Sequence, residues 1–288
     1  MEQVNFNATD GVLLNGLLYK SNTNTKTVIV SVHGMGSNCF KNREIAIANK
    51  SNENGIDYFC FNNRGSELAR YLKKTINGKT EKILAGTGYE DALDGYFDVK
   101  GAILKAIELG YENIFLQGHS LGSTKVLYTY KKLKEENSDV LNYLKGLVLL
   151  SLVDIIAITR SYIGNKLDEY VEFASKKEMD GHLKYLMPAE SFIHPISVRT
   201  YLRYFRDYKQ IDIDDYNMVS CIDIPVFMRW GTDNEMVVYE PEKLIKLVSG
   251  KIHHNNKDIN CIYGANHSYD NYEEKLSEEI IKFTKFFK

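Results

Sequence analysis

A serine lies between two glycines in the segment GHSLG at 118–122, directly after an apolar run at 112–117. A tight strand-to-helix corner of this kind presents a serine hydroxyl that can attack a carbonyl carbon, and only glycine fits two residues to either side of it. The helix predicted from Ser123 onward would add a backbone N–H and a positive dipole end. An ordinary glycine turn is the alternative. The strand before the corner and the helix after it favour a functional Ser120.

A second glycine-containing loop, HGMGSN at 33–38, follows the apolar run at 27–32. Its small residues would let the backbone approach a substrate oxygen closely. We expect the N–H groups of Met35 and Leu121 to form an oxyanion hole together. The alternative, again, is an ordinary glycine turn.

The segment YGANHSYDNYEE places His267 after the last apolar run and before the final helix. A base at this position can reach across the ends of the strands to Ser120. The other histidines are weaker candidates for this base, because they lie in the two glycine loops, in a helical insert or in a polar loop: His33, His119, His182, His194, His253 and His254. His33 and His119 are expected to tune the shapes of their loops. Because adjacent histidines cannot easily share one metal ion, no metal site is predicted at 253–254.

Eight short apolar or alternating runs predict the strands that position these residues: 3–7, 12–19, 27–32, 56–61, 112–117, 146–151, 224–230 and 258–263. The first two are joined through Asp10-Gly11 and predict an antiparallel hairpin at one edge of the sheet. The later strands alternate with helical stretches. This alternation predicts an α/β fold with a mostly parallel eight-stranded sheet and helices on both faces.

Two of the helical stretches have a recognisable apolar face. Between 90 and 109, the predicted buried face carries Leu93, Phe97, Leu104 and Ile107. In the final stretch, it carries Leu276, Ile280, Phe283 and Phe287. The spacing of three and four residues is that of an amphipathic helix.

About 70 residues separate the strands at 146–151 and 224–230, far more than one crossover helix requires. We therefore predict a core formed by residues 1–151 and 223–288 and a helical lid formed by residues 152–222. The lid is rich in tyrosine and would line an aromatic pocket or pack onto the core through these residues: Tyr162, Tyr170, Tyr185, Tyr201, Tyr204 and Tyr208. A smaller insert at 66–89 is polar and rich in lysine.

The succession of HGMG, GHSLG, an acidic loop after the penultimate strand and GANH resembles the α/β-hydrolase superfamily over nearly the whole chain. The order serine, acid, histidine is that of this fold. The segment AGTGYEDALDGYFDVKGAILKAIELGYENIFLQGHSLGSTKV is similar to feruloyl-esterase-like or small-lipase-like hydrolases. The resemblance implies a Ser–His–acid triad with Ser120 and His267.

The acid is the irregular member of this triad. The superfamily usually has it three residues after the glycine that ends the penultimate strand, and that position holds Asn234. An amide is a poor replacement, because an Asp→Asn change at this place in a serine protease costs about 10⁴ in rate. Asp233 is the preferred prediction, with Glu235 as an alternative; a third is an acid elsewhere, such as Asp154, or none.

The predicted function is a serine hydrolase that cleaves a carboxylic ester or thioester of a small molecule through an acyl-enzyme on Ser120. It requires no cofactor. A peptidase, a carbon–carbon bond hydrolase or an acyltransferase could use the same residues. The alternative from another class is a catalytically silent protein that binds a small molecule in the pocket.

Two further features receive structural interpretations. Arg64, after the strand at 56–61, could hold a substrate carboxylate, but a structural ion pair is preferred. The segment 86–90 (GTGYE) lacks the lysine of a phosphate loop and follows no strand, so it predicts a turn and a helix start.

Composition limits the partners. The chain of 288 residues has a formal net charge of −2, which gives no reason to expect a nucleic acid or an anionic membrane surface. No apolar stretch approaches the ~18 residues of a membrane span, and the first residues do not resemble a signal peptide. Three of the four scattered cysteines lie in or beside apolar runs and predict buried free thiols, and we expect a cytoplasmic protein. The sequence does not predict an oligomeric state.

Overall fold

The computed structural model describes residues 1–207 and 214–288. Ten β-strands form in this part of the chain: Glu2–Asn7 (β1), Leu13–Tyr19 (β2), Thr27–Val32 (β3), Asp57–Asn62 (β4), Arg70–Ile76 (β5), Lys79–Ala85 (β6), Asn113–His119 (β7), Leu144–Leu150 (β8), Val226–Gly231 (β9) and Lys257–Ile262 (β10). The α-helices described are Asn42–Glu53 (α1), Gly95–Glu108 (α2), Leu121–Glu135 (α3), Ile155–Ile163 (α4), Lys166–Met179 (α5), Val198–Leu202 (α6), Pro241–Lys251 (α7) and Glu273–Phe287 (α8).

Eight strands form one sheet in the order β1-β2-β4-β3-β7-β8-β9-β10. β2 pairs antiparallel with both β1 and β4, and every other pairing in this sheet is parallel. The predicted eight-stranded, mostly parallel sheet with an antiparallel hairpin at one edge is confirmed. Ser120 directly follows β7, which is a central strand.

The central strands are buried on both faces, as parallel strands between two layers of helices must be. In β3, Val28, Val30 and Val32 belong to one apolar cluster, whereas Ile29 belongs to the other. The first cluster includes residues of α2 and α3, and the second includes residues of α1 and α8. Successive side chains of a strand point to opposite faces of the sheet, so each β-branched run contributes apolar residues to both layers.

The two predicted helix faces agree with the structure except at Leu104. Leu276, Ile280 and Phe283 of α8 are buried as predicted. In α2, the buried face carries Val99, Ala102, Ile103 and Ala106, while Leu104 is 42% exposed. Leu93, Phe97 and Ile107 are partly buried and pack against the core, so Leu104 is the one of the four predicted residues that departs from the buried face.

The interval between β8 and β9 contains α4, α5 and α6, together with 3₁₀ turns at Ala189–Ser191 and Asp214–Cys221. Tyr201 and Tyr204 are buried and lie against Phe205, with ring centroids 4.6 and 6.1 Å from it. Tyr162 and Tyr185 are exposed, and Tyr170 packs on the core. Tyr208 lies outside the described residues. The tyrosines described here therefore either pack against other residues of the protein or are exposed to solvent.

The smaller insert forms an antiparallel hairpin of β5 and β6, which the sequence prediction did not resolve. Its first strand is held to the edge of the main sheet by the N–H of Thr75, which donates to the Gly11 carbonyl at 2.9 Å. The four cysteines are free thiols, and Cys39, Cys60 and Cys261 are buried, as predicted. No helix among the described residues is both long enough and apolar enough to cross a bilayer.

Candidate active site

Ser120 occupies the corner between β7 and α3 with φ 54° and ψ −127°, a region that non-glycine residues rarely adopt. Its N–H donates to the Leu150 carbonyl at 2.8 Å. A Cβ on Gly122 would lie 2.2 Å from the Val32 carbonyl oxygen, and one on Gly118 would lie 2.5 Å from the Gly122 backbone. Both glycines are thus required by close backbone packing, and the strand–corner–helix arrangement is the predicted one.

Ser120 and His267 line one cavity of about 700 Å³. Met35 and Leu121 line the same cavity, so three segments that are remote in sequence meet at the carboxyl ends of the parallel strands. This is the position at which open parallel sheets bind ligands, and the volume is that of a small-molecule pocket.

The carboxylate that contacts His267 belongs to Glu235, whose Oε1 lies against Nδ1 of the imidazole. The Glu235 side chain is 3% exposed. Its Oε2 accepts from the Ser151 hydroxyl at 2.7 Å and from the Gly231 N–H at 2.8 Å. The Met236 N–H donates to Oε1 at 2.8 Å. Because Nδ1–H donates to this carboxylate, Nε2 is the ring nitrogen left to act as a base.

The preference for Asp233 is therefore corrected to Glu235. Asp233 is exposed, and its backbone N–H donates to the Ala265 carbonyl at 2.9 Å. Asn234 has φ 48° and turns the chain. The side chain of Glu235, four residues after Gly231, thereby contacts His267. Asp154, the third candidate, caps α4 by accepting from the Ala157 N–H at 2.9 Å.

Glu235 is held as an anion. Burial alone would raise its pKa, but the hydrogen bonds and charge of His267, with those of Ser151 and Gly231, outweigh burial and lower the pKa below its ordinary value. A buried carboxylate of this kind fixes the orientation of an imidazole and stabilises the imidazolium when it forms.

Met35 and Leu121, the predicted oxyanion-hole residues, both line the cavity. Leu121 is the first residue of α3, and Met35 lies in the loop after β3. A Cβ on Gly34 would be 3.0 Å from the Ser120 Cβ, so this loop passes close to the serine. Within the described chain, no hydrogen-bond acceptor is assigned to either N–H. Both are available to a substrate oxygen.

His33 shapes this loop, as predicted. Its Nδ1–H donates to the Gly34 carbonyl at 2.8 Å, and its Nε2 accepts from the Asn63 N–H at 3.1 Å. Burial, together with nearby cations, lowers the pKa of His33 to about 3, although its bond to Gly34 opposes the shift. The ring is therefore neutral and serves as a fixed hydrogen-bonding link.

His119 supports His267 rather than only its own loop. Its Nε2–H donates to the His267 carbonyl at 2.7 Å, and the two ring centroids are 4.9 Å apart. Burial is the largest cause that holds the pKa of His119 well below its ordinary value. A neutral His119 thus fixes the backbone of the residue that would act as the base.

Several cavity residues were not singled out from the sequence. His194, which was expected to compete poorly, lines the cavity together with Val153, Ile155 and Ile193 of the interval between β8 and β9. Lys41 and Arg43 line it from the start of α1. The only available signal for this pair was their closeness to HGMGSN in the sequence. Ser151 was also missed, although it directly follows β8.

The remaining candidates have structural roles. Arg64 is buried and binds Asp98 at 2.7 Å and Asp10 at 2.8 Å, which confirms the predicted ion pair. The segment 86–90 is a turn in which the Glu90 N–H donates to the Gly86 carbonyl. In residues 1–207 and 214–288, no three His, Cys, Asp or Glu side chains are grouped as metal ligands would be.

Comparison with solved structures identifies the fold. The esterase Est1E from Butyrivibrio proteoclasticus with bound ferulic acid is similar over 98% of both chains, at 19% identity and a TM-score of 0.68. A thermostable carboxyl esterase from Bacillus coagulans matches over 99% of this chain and 98% of its own, at 14% identity and a TM-score of 0.67. The Saccharomyces cerevisiae monoglyceride lipase matches over 98% and 94%, at 16% identity and a TM-score of 0.61.

Solved structures named as α/β hydrolases match 99–100% of this chain, so the fold is the α/β-hydrolase fold, as the sequence resemblance implied. No protein-family model and no curated protein matches the sequence.

Proposed function

We propose that the protein is a serine hydrolase that cleaves a carboxylic ester or thioester through an acyl-enzyme on Ser120. The observation that carries the proposal is the buried Glu235 carboxylate on Nδ1 of His267, together with the cavity that both His267 and Ser120 line. Such an arrangement activates a serine hydroxyl that is otherwise a weak nucleophile. The esterase and lipase neighbours support the same reaction class by analogy of fold.

The proposed mechanism has two halves. In the first, Nε2 of His267 takes the Ser120 proton as the oxygen attacks the carbonyl carbon, and the N–H groups of Met35 and Leu121 hold the oxyanion. The imidazolium then gives its proton to the leaving alcohol or thiol. In the second half, water attacks the acyl-enzyme by the same route and releases the acid and free Ser120.

We also propose that residues 1–151 and 223–288 form the catalytic core and residues 152–222 a lid over it. Val153, Ile155, Ile193 and His194 of this interval line the cavity and support the division. Three of these residues are aliphatic, so the lid side of the cavity would bind the apolar part of a substrate.

Covalent labelling with a fluorophosphonate probe tests the proposal. We expect the wild-type protein to be labelled at Ser120 and Ser120→Ala not to be labelled. Hydrolysis of short 4-nitrophenyl esters should fall about 10⁶-fold in Ser120→Ala, which is the effect of removing the nucleophile of a triad. Binding of a small ester without labelling or turnover would instead support a silent binding protein.

A further inference from the structure

The N-terminus of α1 lies at the cavity that contains Ser120. Lys41, Asn42 and Arg43 all line that cavity. α1 has 12 residues, and the side chain of its N-cap residue Lys41 makes no capping hydrogen bond. Among the described residues, no side chain accepts from the first N–H groups of α1, and this positive end of the helix dipole lies at the cavity.

Arg43 adds a buried guanidinium with unused donors. Its side chain is 4% exposed, its Nη2 donates to Glu44 at 3.0 Å, and its Nη1 makes only a long contact of 3.4 Å with the Ser268 carbonyl. Nε has no hydrogen-bond partner within the described chain. Nε is itself buried, but a guanidinium has five N–H donors, so Nη1 and Nη2 of Arg43 each keep one N–H that no described residue accepts.

Glu44 fixes Arg43 in this position. Its Oε2 accepts from the hydroxyls of Ser31 and Tyr58, both at 2.6 Å, while Oε1 faces the guanidinium. Burying an ion pair costs free energy that an apolar pair would not. The sheet therefore supports a cation at the cavity wall at a cost to stability, which a ligand-binding role explains.

Lys41 supplies a second positive charge. It is exposed at the cavity, and no carboxylate of the described residues lies within ion-pair distance of it. Asp270 is the acidic residue among the cavity-lining residues described, and it is exposed and accepts from the Asn266 amide at 2.9 Å. Its charge is screened by solvent, whereas the guanidinium is buried.

We propose that this end of the cavity is a subsite for an anionic group, either a carboxylate or a phosphate, on the acyl or alcohol part of the substrate. Arg43, Lys41 and the first N–H groups of α1 would bind it, as helix N-termini and arginine bind such groups elsewhere. The substrate preference rests on the proposed hydrolase function, whereas anion binding at this position does not.

The kinetic test compares two substrates that differ only in charge: 4-nitrophenyl hydrogen adipate and its methyl ester. For each protein, the ratio of kcat/KM for the acid to kcat/KM for the methyl ester is measured, with the rate without enzyme subtracted. A hydrogen bond to a charged group contributes about 1.5–3 kcal/mol, so we expect wild-type ratios of about 10–100. The ratio should fall as the salt concentration rises, because Lys41 is exposed.

The Lys41 variants change the charge at the cavity, and the Arg43 variant keeps the charge but changes the geometry of its donors. Lys41→Met should lower the ratio about 3- to 10-fold, Lys41→Glu should lower it further, and Arg43→Lys should lower it because the planar fork is lost while Glu44 keeps a partner. Lys50→Met is the matched control, since Lys50 lies at the other end of α1 and pairs with Glu274 outside the cavity. It should leave the ratio unchanged.

A binding test is independent of turnover. Calorimetry on Ser120→Ala compares hexanoate, hexyl phosphate and hexan-1-ol, with and without Lys41→Met. Binding of either anion, weakened at least threefold by Lys41→Met and stronger than that of the alcohol, supports the subsite and distinguishes carboxylate from phosphate.

If wild-type protein is labelled at Ser120 but shows a ratio near 1 that no variant changes, the subsite is rejected and the hydrolase stands. If there is neither labelling nor turnover, the hydrolase is rejected, and calorimetry alone decides for or against the subsite.

Discussion

The corner at Ser120 and the loop that carries Glu235 lie at the ends of strands in the same sheet, yet different forces determine their shapes. Steric exclusion determines the corner, since a Cβ at Gly118 or Gly122 would overlap backbone atoms. Hydrogen bonds to one carboxylate determine the loop, through Ser151, Gly231 and Met236. The comparison teaches that a corner shaped by steric exclusion can be recognised in the sequence by its glycines. A loop shaped by hydrogen bonds to one side chain has no comparable sequence pattern.

The largest expected effect on kcat/KM distinguishes the two carboxylates of the loop, Glu235 and Asp233. Glu235→Gln keeps the size of the side chain but removes the charge that stabilises the imidazolium, so kcat/KM for a 4-nitrophenyl ester should fall about 10³- to 10⁴-fold. Asp233→Asn should change it less than about twofold, because an exposed carboxylate away from His267 contributes little. Equal losses in both variants, or a loss only in Asp233→Asn, would contradict the assignment of Glu235.

The next largest effect should come from the steric side of the comparison. Gly122→Ala would place a Cβ 2.2 Å from the Val32 carbonyl oxygen, so we expect the free energy of unfolding in urea to fall by about 2–4 kcal/mol. Gly250→Ala in α7 is the control, since nothing lies within 4 Å of the added Cβ. There the free energy of unfolding should rise by about 0.5–1 kcal/mol. A stable, active Gly122→Ala protein would refute the steric account of the corner.

The smallest effect concerns the hydrogen bonds on Glu235. Ser151→Ala removes one donor, which should raise the pKa of Glu235 towards its ordinary value and lower kcat/KM about 10-fold, or 1.4 kcal/mol. A carboxyl whose folded-state pKa is lowered stabilises the protein above its unfolded pKa, and this stabilisation is lost as the pH falls through the folded-state value.

The difference in unfolding free energy between wild type and Ser151→Ala should therefore be about 1 kcal/mol at neutral pH and shrink as the pH falls below the ordinary pKa of a glutamate, 4.5. Urea unfolding measured across this range checks the sign. Ser220→Ala, which removes an exposed hydroxyl bonded only to the Asn217 carbonyl, serves as the control. A difference that grows as the pH falls would be inconsistent with an ionised, stabilising Glu235.

The same distinction explains which sequence predictions were correct. The buried β-branched runs predicted the main sheet, because few residue types fit a strand covered on both faces. Ser120 was predicted to lie at a strand-to-helix corner for the steric reason above. The acid was mispredicted because one positive φ, at Asn234, shifts the register of the loop by two residues relative to Asp233. Asparagine tolerates this conformation, but the residue type does not determine which neighbouring carboxylate the turn brings to His267.

Contacts between distant segments were the least predictable. His194 reaches the cavity only through the packing of the interval between β8 and β9. Arg43 reads from the sequence as an ordinary surface arginine in the first turn of a helix. It is buried because Ser31 and Tyr58, on two neighbouring strands, bind the adjacent Glu44. Long-range hydrogen bonds of this kind depend on the completed sheet.

The most direct test of the account is a crystal structure of the protein after reaction with a small alkyl fluorophosphonate. We predict a phosphonyl group on the Ser120 oxygen, with one phosphonyl oxygen about 3 Å from the N–H groups of both Met35 and Leu121. Nε2 of His267 should lie within hydrogen-bonding distance of the adduct, with Glu235 still on Nδ1. A modified residue other than Ser120, or a phosphonyl oxygen that contacts neither N–H, would contradict it.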